Sequence, residues 1–233
     1  MTKTTILDNI AHADLRVAPL SGGAFGDGVN QTLIFPTEIE AAQRDFPLLI
    51  QRDEDGAWQL TALLGFDRDE NLFLSDDGWT ARYVPAVHRR GPFLIGLQRR
   101  DGADHPVIHI DLDDPRVGDD GEPLFLPHGG NSAYLDHVAD ALRTIHEGHA
   151  MSQPMFAAFE AAGLIAPVAL EIMVDDTRRY DIGDRFTIDA DRLATLDGAA
   201  LQRLNEAGFL GLAFAIRGSI GNIDDLIARK QAR

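Results

Sequence analysis

Short apolar runs separated by turn-forming residues dominate the chain as far as about Val117. The stretch PLLIQRDEDGAWQLTALLGF holds two such runs on either side of Asp55-Gly56, a dipeptide that favours a hairpin turn. A second turn signal, Asp76-Asp77-Gly78, precedes TARYVPAV, and a third separates PFLIGLQ from PVIHIDLD. Strands at this spacing predict an antiparallel meander, in which the prolines suit strand edges and bulges. The preceding segment PTEIEAAQRDF predicts a short helix opened by Pro36 and Thr37.

The hydrophobic pattern changes to helical spacing after residue 130. Asn131 or Ser132 can cap a helix there. Apolar residues then recur at i, i+3 and i+4, and the run comprises Tyr134, Leu135, Val138, Leu142 and Ile145. Gly148 and Pro154 predict an interruption, after which PMFAAFEAA forms a second short helix that ends at Gly163.

The last third of the chain mixes both patterns. VALEIMVDD and RRYDIGDRFTI predict a hairpin, and FLGLAFAIRG predicts an apolar strand. Helices are expected from Asp189 or Asp191, over LDGAALQRLNEAG, and over IDDLIARKQAR. Together these patterns predict an α+β fold, with an antiparallel N-terminal β-sheet packed with central and C-terminal helices. We expect a single domain over residues 1–233, with a candidate internal seam in the turn-rich loop at 118–130.

Charge and composition narrow the function classes. The formal net charge is −16, from 37 acidic and 21 basic residues, and such a field repels nucleic acid unless a local basic patch overrides it. The absence of cysteine excludes disulfides, thiolate catalysis and zinc–thiolate sites. The N-terminus lacks the apolar core of a signal peptide, and no apolar run approaches the ~20 residues that span a bilayer. We therefore expect a soluble cytoplasmic protein with no nucleic-acid partner and no integral membrane segment, and export without a signal peptide stays open.

The densest basic feature is the segment from Arg82 to Phe93, RYVPAVHRRGPF, which interleaves aromatic and cationic residues. Guanidinium groups bind carboxylates and phosphates bidentately, so this segment could hold an anionic ligand or a protein partner. The residues predicted to do so are Arg82, Tyr83, His88, Arg89 and Arg90. The competing interpretation is that these arginines neutralise nearby acidic residues in internal ion pairs.

A metal site is the alternative hypothesis. In VIHIDLD, His109 and Asp111 are two residues apart and therefore share one face of a strand, as two ligands of a non-haem iron facial triad do. The third ligand would have to be a later histidine: His128, His137, His146 or His149. The alternative function is therefore a non-haem iron oxygenase, with iron as the cofactor in place of none. The competing interpretation of His109 and Asp111 is the polar face of an edge strand.

Two further motifs have structural interpretations beside the functional ones. His146 and His149 can share a helix face, but the second histidine comes one residue too early for HExxH, which argues against a zinc protease. The loop His128-Gly129-Gly130-Asn131-Ser132 could cradle an anion with its backbone amides, although a helix cap explains it without a ligand. No G-x-S-x-G motif supports serine hydrolase chemistry.

Several segments together resemble the SapC family of bacterial proteins. They include LDNIAHADLRV, FPTEIEAAQRDFPLL, RYVPAVHRRGPFLIG, VIHIDLDDPRV, GEPLFLPHGGNSAYL and LRTIHEGH, and the resemblance extends from about residue 7 to 230. The family takes its name from a gene cluster for producing and exporting a bacterial surface-layer protein. The resemblance implies a non-catalytic accessory or adaptor protein in cell-envelope or surface-layer assembly. It supplies no catalytic residues, so the Arg82–Phe93 segment is the predicted surface for recognising a polypeptide or an anionic group.

Overall fold

The computed structural model of the protein describes residues 3–100 and 102–233. The chain divides into two compact units. Unit 1 is formed by the described residues of Met1–Ser21 and Ala86–His146, and unit 2 by Gly22–Pro85 and Glu147–Arg233. The loop at 118–130 lies inside unit 1, and the expectation of a single domain stays a prediction.

Strands and helices are interspersed along the chain, which confirms the predicted α+β class. The strands are β1 (Thr4–Ile6), β2 (Arg16–Val17), β3 (Gln31–Ile34), β4 (Leu48–Arg52), β5 (Trp58–Leu63), β6 (Leu74–Ser75), β7 (Gly78–Trp79), β8 (Phe93–Arg100), β9 (Ala103–Asp111), β10 (Val117–Gly118), β11 (Glu122–Pro123), β12 (Ile165–Met173) and β13 (Arg179–Ile188). The helices are α1 (Ile39–Ala42), α2 (Ala86–Arg89), α3 (Ala133–Ala161), α4 (Ala190–Ala194), α5 (Gly198–Glu206), α6 (Leu210–Ser219) and α7 (Ile223–Gln231). Within the described residues, no helix is both long enough and apolar enough to span a bilayer.

Unit 1 is built on a three-stranded antiparallel sheet in the order β1-β9-β8, with a second small sheet in the order β10-β2-β11. The predicted hairpin of PFLIGLQ and PVIHIDLD is confirmed as β8 and β9. Apolar residues at helical spacing in α3 join the sheet in a buried core that consists of Val17, Phe93, Ile110, Leu124, Leu135, Val138 and Leu142. Ser132 Oγ accepts a hydrogen bond from the Leu135 N–H at 3.1 Å, which confirms Ser132 as the helix cap.

Unit 2 is built on a five-stranded antiparallel sheet in the order β12-β13-β4-β5-β3. The predicted hairpins β4–β5 and β12–β13 are both confirmed, whereas the strands of the expected meander are distributed over separate sheets. Phe46, Phe73 and Phe159 are fully buried, and the rings of Phe46 and Phe73 meet edge to face with centroids 4.7 Å apart. Burial of each such side chain stabilises the fold by about 1.5–3 kcal/mol.

A buried lysine fixes the last helix of unit 2. Lys230 Nζ on α7 donates to Asp67 Oδ2 and to Glu70 Oε1, both at 2.6 Å. Burial lowers the pKa of Lys230, but the hydrogen bonds to these two carboxylates outweigh it and hold the pKa above its ordinary value. Glu70 also accepts the Phe66 N–H at 3.1 Å, so one carboxylate orders the loop after β5 and anchors α7 to it.

The predicted strand TARYVPAV is wrong. Only Gly78–Trp79, just before it, pairs as β7, and Ala86–Arg89 at its end forms α2. Side chains of unit 2 hold this stretch in place of a strand partner. The Tyr83 N–H donates to Asp45 Oδ2 at 3.0 Å, and the Tyr83 hydroxyl donates to Glu38 Oε2 at 2.7 Å.

The predicted apolar strand FLGLAFAIRG is also wrong, because these residues form most of α6. Leu212, Ala213 and Ile216 are buried at helical spacing, which places them on one face. Phe214 lies outside that face and is 57% exposed. An apolar residue on the exposed side hides the helical period, so the run resembles a buried strand in the sequence.

The predicted interruption between two helices is wrong, because α3 continues from Ala133 to Ala161 with Pro154 inside it. An internal proline costs about 3 kcal/mol. The burial of Met155, Phe156 and Phe159 directly after it offsets that cost. Gly148 allows Phe35 and Thr37 of the same unit to lie close against α3, since a Cβ atom at this position would overlap both residues. The predicted end at Gly163 is confirmed by its φ of 68°.

Candidate functional site

The predicted basic segment is divided between the two units, because their boundary falls between Pro85 and Ala86. In unit 2, the Arg82 side chain is 84% exposed and its Nε lies 4.0 Å from Asp45 Oδ1. Tyr83 is engaged by Asp45 and by the buried Glu38, as described above. Tyr83 therefore has a structural role in unit 2.

The other predicted residues, His88, Arg89 and Arg90, lie in unit 1 at the start of β8. His88 and Arg89 close α2 and are half-buried. Arg90 follows α2, and its Nη1 donates to the carbonyl oxygen of Phe93 at 2.7 Å. The Phe93 N–H in turn donates to the Arg90 carbonyl oxygen at 3.1 Å. The Arg90 guanidinium is thereby fixed at the first residue of the strand.

Arg116 and Asp114 form a bidentate pair in the same unit. Arg116 Nε donates to Asp114 Oδ1 at 2.9 Å and Nη2 to Oδ2 at 2.7 Å. The two side chains are only 11% and 16% exposed. The hydrogen bonds from Arg116, opposed by burial, hold the pKa of Asp114 below its ordinary value. This carboxylate is therefore ionised at neutral pH and orients the Arg116 guanidinium.

Arg90 adds a second positive charge to this pair. Burial and the charge of Arg116 both lower the pKa of Arg90, while the charge of Asp114 opposes them. Within residues 3–100 and 102–233, Arg90 forms no salt bridge of its own. Two guanidinium groups thus lie near the Asp114 carboxylate in a half-buried setting. Such an arrangement favours a further anion.

Tyr134 on α3 supplies a hydroxyl to the same place. Burial raises the pKa of Tyr134 to about 12, so the phenol stays protonated and can donate at neutral pH. In the described part of the chain, this hydroxyl has no hydrogen-bond partner. A Cβ atom built on Gly91 would lie 3.7 Å from Tyr134 Oη and 3.9 Å from Arg116 Nη1. We call Arg90, Asp114, Arg116 and Tyr134 the arginine cluster.

Strand β8 has one unpaired edge. Among the described residues, β9 is its only partner in the sheet. The Asp111 N–H donates to the Pro92 carbonyl oxygen at 3.0 Å, and pairs in an antiparallel ladder alternate between bonded and non-bonded. Leu94, Gly96 and Gln98 therefore bond to β9, and the N–H and C=O groups of the alternate residues point outward. These outward residues are Phe93, Ile95, Leu97 and Arg99.

The free edge of β8 is apolar in the middle and cationic at both ends. Arg90 binds the Phe93 carbonyl oxygen at one end, and the exposed Arg99 and Arg100 lie at the other. Between them the side chain of Leu97 is 63% exposed. An edge strand of eight residues without an internal charge, bulge or proline is a template for another strand.

A comparison with models of known protein families shows which family the chain belongs to. The family model described as SapC matches residues 7–226 of the 233. The chain belongs to the SapC family. No curated protein matches it, and no solved structure does. The SapC match spans both units, so the arginine cluster and the free edge of β8 lie within the family's region.

The alternative metal site of this SapC family member is only half assembled. His109 and Asp111 share one face of β9, as expected. The imidazole of His109 lies over Gly96, where a Cβ atom would overlap it, and Asp111 Oδ1 accepts the Asp113 N–H at 3.1 Å. In the part of the chain that the structure describes, no three His, Asp or Glu side chains are grouped to hold a metal ion. The facial triad that an iron oxygenase requires is not assembled by these residues.

The four later histidines of that hypothesis are divided between the units, with His128, His137 and His146 in unit 1 and His149 in unit 2. His146 is exposed near the end of the unit 1 part of α3. His149 lines a cavity of about 750 Å³ in unit 2, between α3 and the strands β3 and β5. Trp58 and Phe156 contribute apolar walls to this cavity, and Trp58 Nε1 donates to Glu160 Oε1 at 2.6 Å.

Sequence reasoning identified Arg90 but missed Asp114, Arg116 and Tyr134. Asp114 and Arg116 follow β9 in the run DDPRV, where an acid two residues before an arginine is a common surface pattern. The helical spacing puts Tyr134 on the core face of α3. Nothing in the sequence indicates that its hydroxyl lies at the edge of that core. The one available hint was the excess of arginines over acids in RYVPAVHRRGPF.

Proposed function

We propose that this SapC family member is a non-catalytic accessory protein that recognises a polypeptide by adding it as a strand to β8. The observation that carries the proposal is the unpaired edge of β8, with outward backbone groups at Ile95, Leu97 and Arg99. Strand addition obtains affinity from main-chain hydrogen bonds and specificity from alternate side chains. The setting in bacterial cell-envelope or surface-layer assembly is what the family resemblance implies.

The charges around β8 favour a partner over a second copy of the chain. Two copies of β8 paired antiparallel would bring Arg99 and Arg100 of each close to Arg90 of the other, and like charges across a strand pair are destabilising. An extended segment with an apolar middle and acidic flanks meets complementary charge at both ends. The same arginines thus act against self-pairing and in favour of an acidic partner.

The test removes one outward N–H from β8. In Leu97→Pro the proline replaces an N–H that points away from β9, so the β8–β9 ladder keeps its hydrogen bonds. The matched control is Leu97→Ala, which shortens the same exposed side chain and keeps the N–H. Each purified variant is used to select from display libraries of random dodecapeptides, and circular dichroism checks that all three proteins are folded.

We expect peptides to be enriched on the wild type and on Leu97→Ala, with binding to Leu97→Pro at least about 30-fold weaker, because one hydrogen bond is lost and the ring obstructs the ladder. Equal binding to Leu97→Pro would contradict strand addition at β8. A failure of every library to yield a binder to the wild type would contradict polypeptide recognition.

A further inference from the structure

We infer that the arginine cluster binds the free C-terminal carboxylate of the partner polypeptide, whose last residues lie antiparallel to β8. This inference rests on the proposed function and goes further, because it specifies which part of a polypeptide is recognised and in which direction it runs.

The first step is that the ladder on the outer edge of β8 must stop at Phe93. The Phe93 N–H donates to the Arg90 carbonyl oxygen, and the Phe93 carbonyl oxygen accepts from Arg90 Nη1. A strand paired with Leu97 and Ile95 therefore meets a guanidinium where the next backbone groups would be. A chain that ends at this point fits, whereas a chain that continues would have to turn away.

The second step is the direction of the added strand. An antiparallel strand brings its C-terminal end to the start of β8, and a parallel strand brings its N-terminal end there. The start of β8 carries Arg90, with Arg116 close enough to lower its pKa. An ammonium group would be repelled at this position, whereas a carboxylate would be attracted. The sign of the charge therefore selects the antiparallel direction and the C-terminus.

The third step is the number of donors. A carboxylate has two oxygens and matches the planar fork of a guanidinium. Arg90 presents donors beyond the one given to Phe93, and the hydroxyl of Tyr134 has no partner in the described residues. Gly91 adds no side chain to this space. The exposed Glu122 acts on Tyr134 more weakly than Arg116 and Asp114 do.

The fourth step concerns the other end of the strand. Arg99 and Arg100 are exposed at the far end of β8. Residues pair one to one along an antiparallel ladder, so these arginines face the partner about five to seven residues before its end. We therefore expect an acidic residue there, with apolar residues on alternate positions nearer the terminus.

The experiment uses the dodecapeptide libraries in two formats. One presents peptides with a free C-terminal carboxylate, and the other has the same peptides fused through their C-termini and free at the N-terminus. Peptides selected on the wild type are then synthesised as the free acid and as the C-terminal amide, and their affinities are measured by fluorescence anisotropy on wild type, Arg90→Gln and Arg90→Lys.

We expect enrichment in the free-carboxylate format and at least tenfold weaker binding of the amide, since a charge-assisted hydrogen bond is lost. Arg90→Gln should weaken binding of the free-acid peptide by a similar factor and leave binding of the amide peptide nearly unchanged. The reason is that amidation of the peptide and the Arg90→Gln substitution remove the same interaction. Arg90→Lys should restore part of the affinity for the acid, since it keeps the charge without the fork. Tyr134→Phe, which removes only a hydroxyl, should weaken binding of the free-acid peptide about two- to fivefold. This variant replaces Arg90→Gln in the test if Arg90→Gln does not fold.

The outcomes separate this inference from the proposed function. Equal enrichment in both formats, sensitive to Leu97→Pro, would overturn the C-terminal inference and leave strand addition standing. An amide that binds as tightly as the acid would do the same. Absence of binders in both formats would overturn the proposed function and the inference with it.

Discussion

The two units each contain a long edge strand, and the two edges differ. In unit 2, β12 (Ile165–Met173) ends the five-stranded sheet, and in unit 1, β8 (Phe93–Arg100) ends the three-stranded sheet. Both are partly apolar, and within the described residues neither has a strand on its outer side. The comparison shows which devices protect one edge and are missing from the other.

The edge of β12 is blocked in three ways. The Asp189 N–H donates to the Leu164 carbonyl oxygen, so alternation along the ladder turns the position of Pro167 outward, where an N–H is missing. The register shifts between Val168 and Leu170, which interrupts the edge. Glu171 adds a charge, paired with Arg179 of the neighbouring strand. Natural edge strands use these devices against unwanted pairing.

None of these devices occurs in β8 between Phe93 and Gln98, where the edge is continuous and uncharged. Its arginines lie only at the two ends. The contrast within one chain indicates that the open edge of β8 is not a general feature of the fold. In the proposed function, the arginines at its two ends are what protects this edge against a second copy of the same strand.

The largest expected effect comes from reversing the charge at one end of β8. The double variant Arg99→Glu with Arg100→Glu places acids where a second copy would present Arg90, so repulsion becomes attraction. We expect self-association at least about tenfold stronger than in the wild type, measured by sedimentation equilibrium at low salt, and weakened by added salt. The control, Arg99→Gln with Arg100→Gln, removes the repulsion alone and should fall between the two. No change in the association constant would contradict the role of the arginines as protection.

A smaller effect is expected from opening the edge of β12. Pro167→Thr restores an outward N–H and a β-branched side chain at this edge. We expect self-association to rise a few-fold by light scattering, with the free energy of unfolding changed by no more than about 0.5 kcal/mol. Ala169→Thr is the control, because it adds the same side chain at an exposed position without adding an N–H. An equal rise in both variants would show that the side chain, and not the opened edge, is responsible.

The smallest expected effect sharpens the description of β8 at its anchored end. The pKa of Tyr134 is raised to about 12, above the ordinary value of 10.0, mainly by burial. The folded state therefore keeps this proton in a pH range where the unfolded state loses it. Stability is unaffected below about pH 10 and falls as the pH rises from 10 towards 12.

Urea unfolding between pH 9 and 11.5 checks this. The free energy of unfolding should fall by less than about 1.4 kcal/mol per pH unit, which is the slope when the unfolded state binds one proton fewer than the folded state. The slope is smaller here because Tyr134 is only partly buried. Tyr134→Phe should lack this component of the slope. An identical slope in the variant would mean that the hydroxyl is solvated, and it would remove Tyr134 from the arginine cluster.

Much of the fold follows from local signals in the sequence. Turn residues such as Asp55-Gly56 lie between strands that pair directly, and Ser132, Asp189 and Gly163 mark helix ends by their own side chains or backbone. Where tertiary packing overrides local preference, sequence reasoning fails. The run FLGLAFAIRG forms a helix because one of its faces is buried by distant residues, and Pro154 is tolerated because the residues after it are buried.

The candidate site is less accessible to sequence reasoning for a similar reason. Strand β8 is at the edge because β1, about a hundred residues earlier in the chain, pairs with β9 and not with β8. No local sequence pattern records that choice of partner. The arginine cluster joins Arg90, Arg116 and Tyr134 from three separate elements. The cationic segment could be recognised in the sequence, whereas the Asp114 carboxylate and the Tyr134 hydroxyl could be recognised only from the fold.

The buried Lys230 has a consequence for the order in which the protein is made. Unit 1 draws all its residues from the part of the chain synthesised before residue 147, whereas unit 2 needs Lys230 to neutralise Glu70. During translation, all residues of unit 1 are available while residues 22–85, which lie between its two segments in the sequence, still lack helix α7. The residues that form β8 and its sheet are therefore synthesised before unit 2 acquires Lys230, its last anchor.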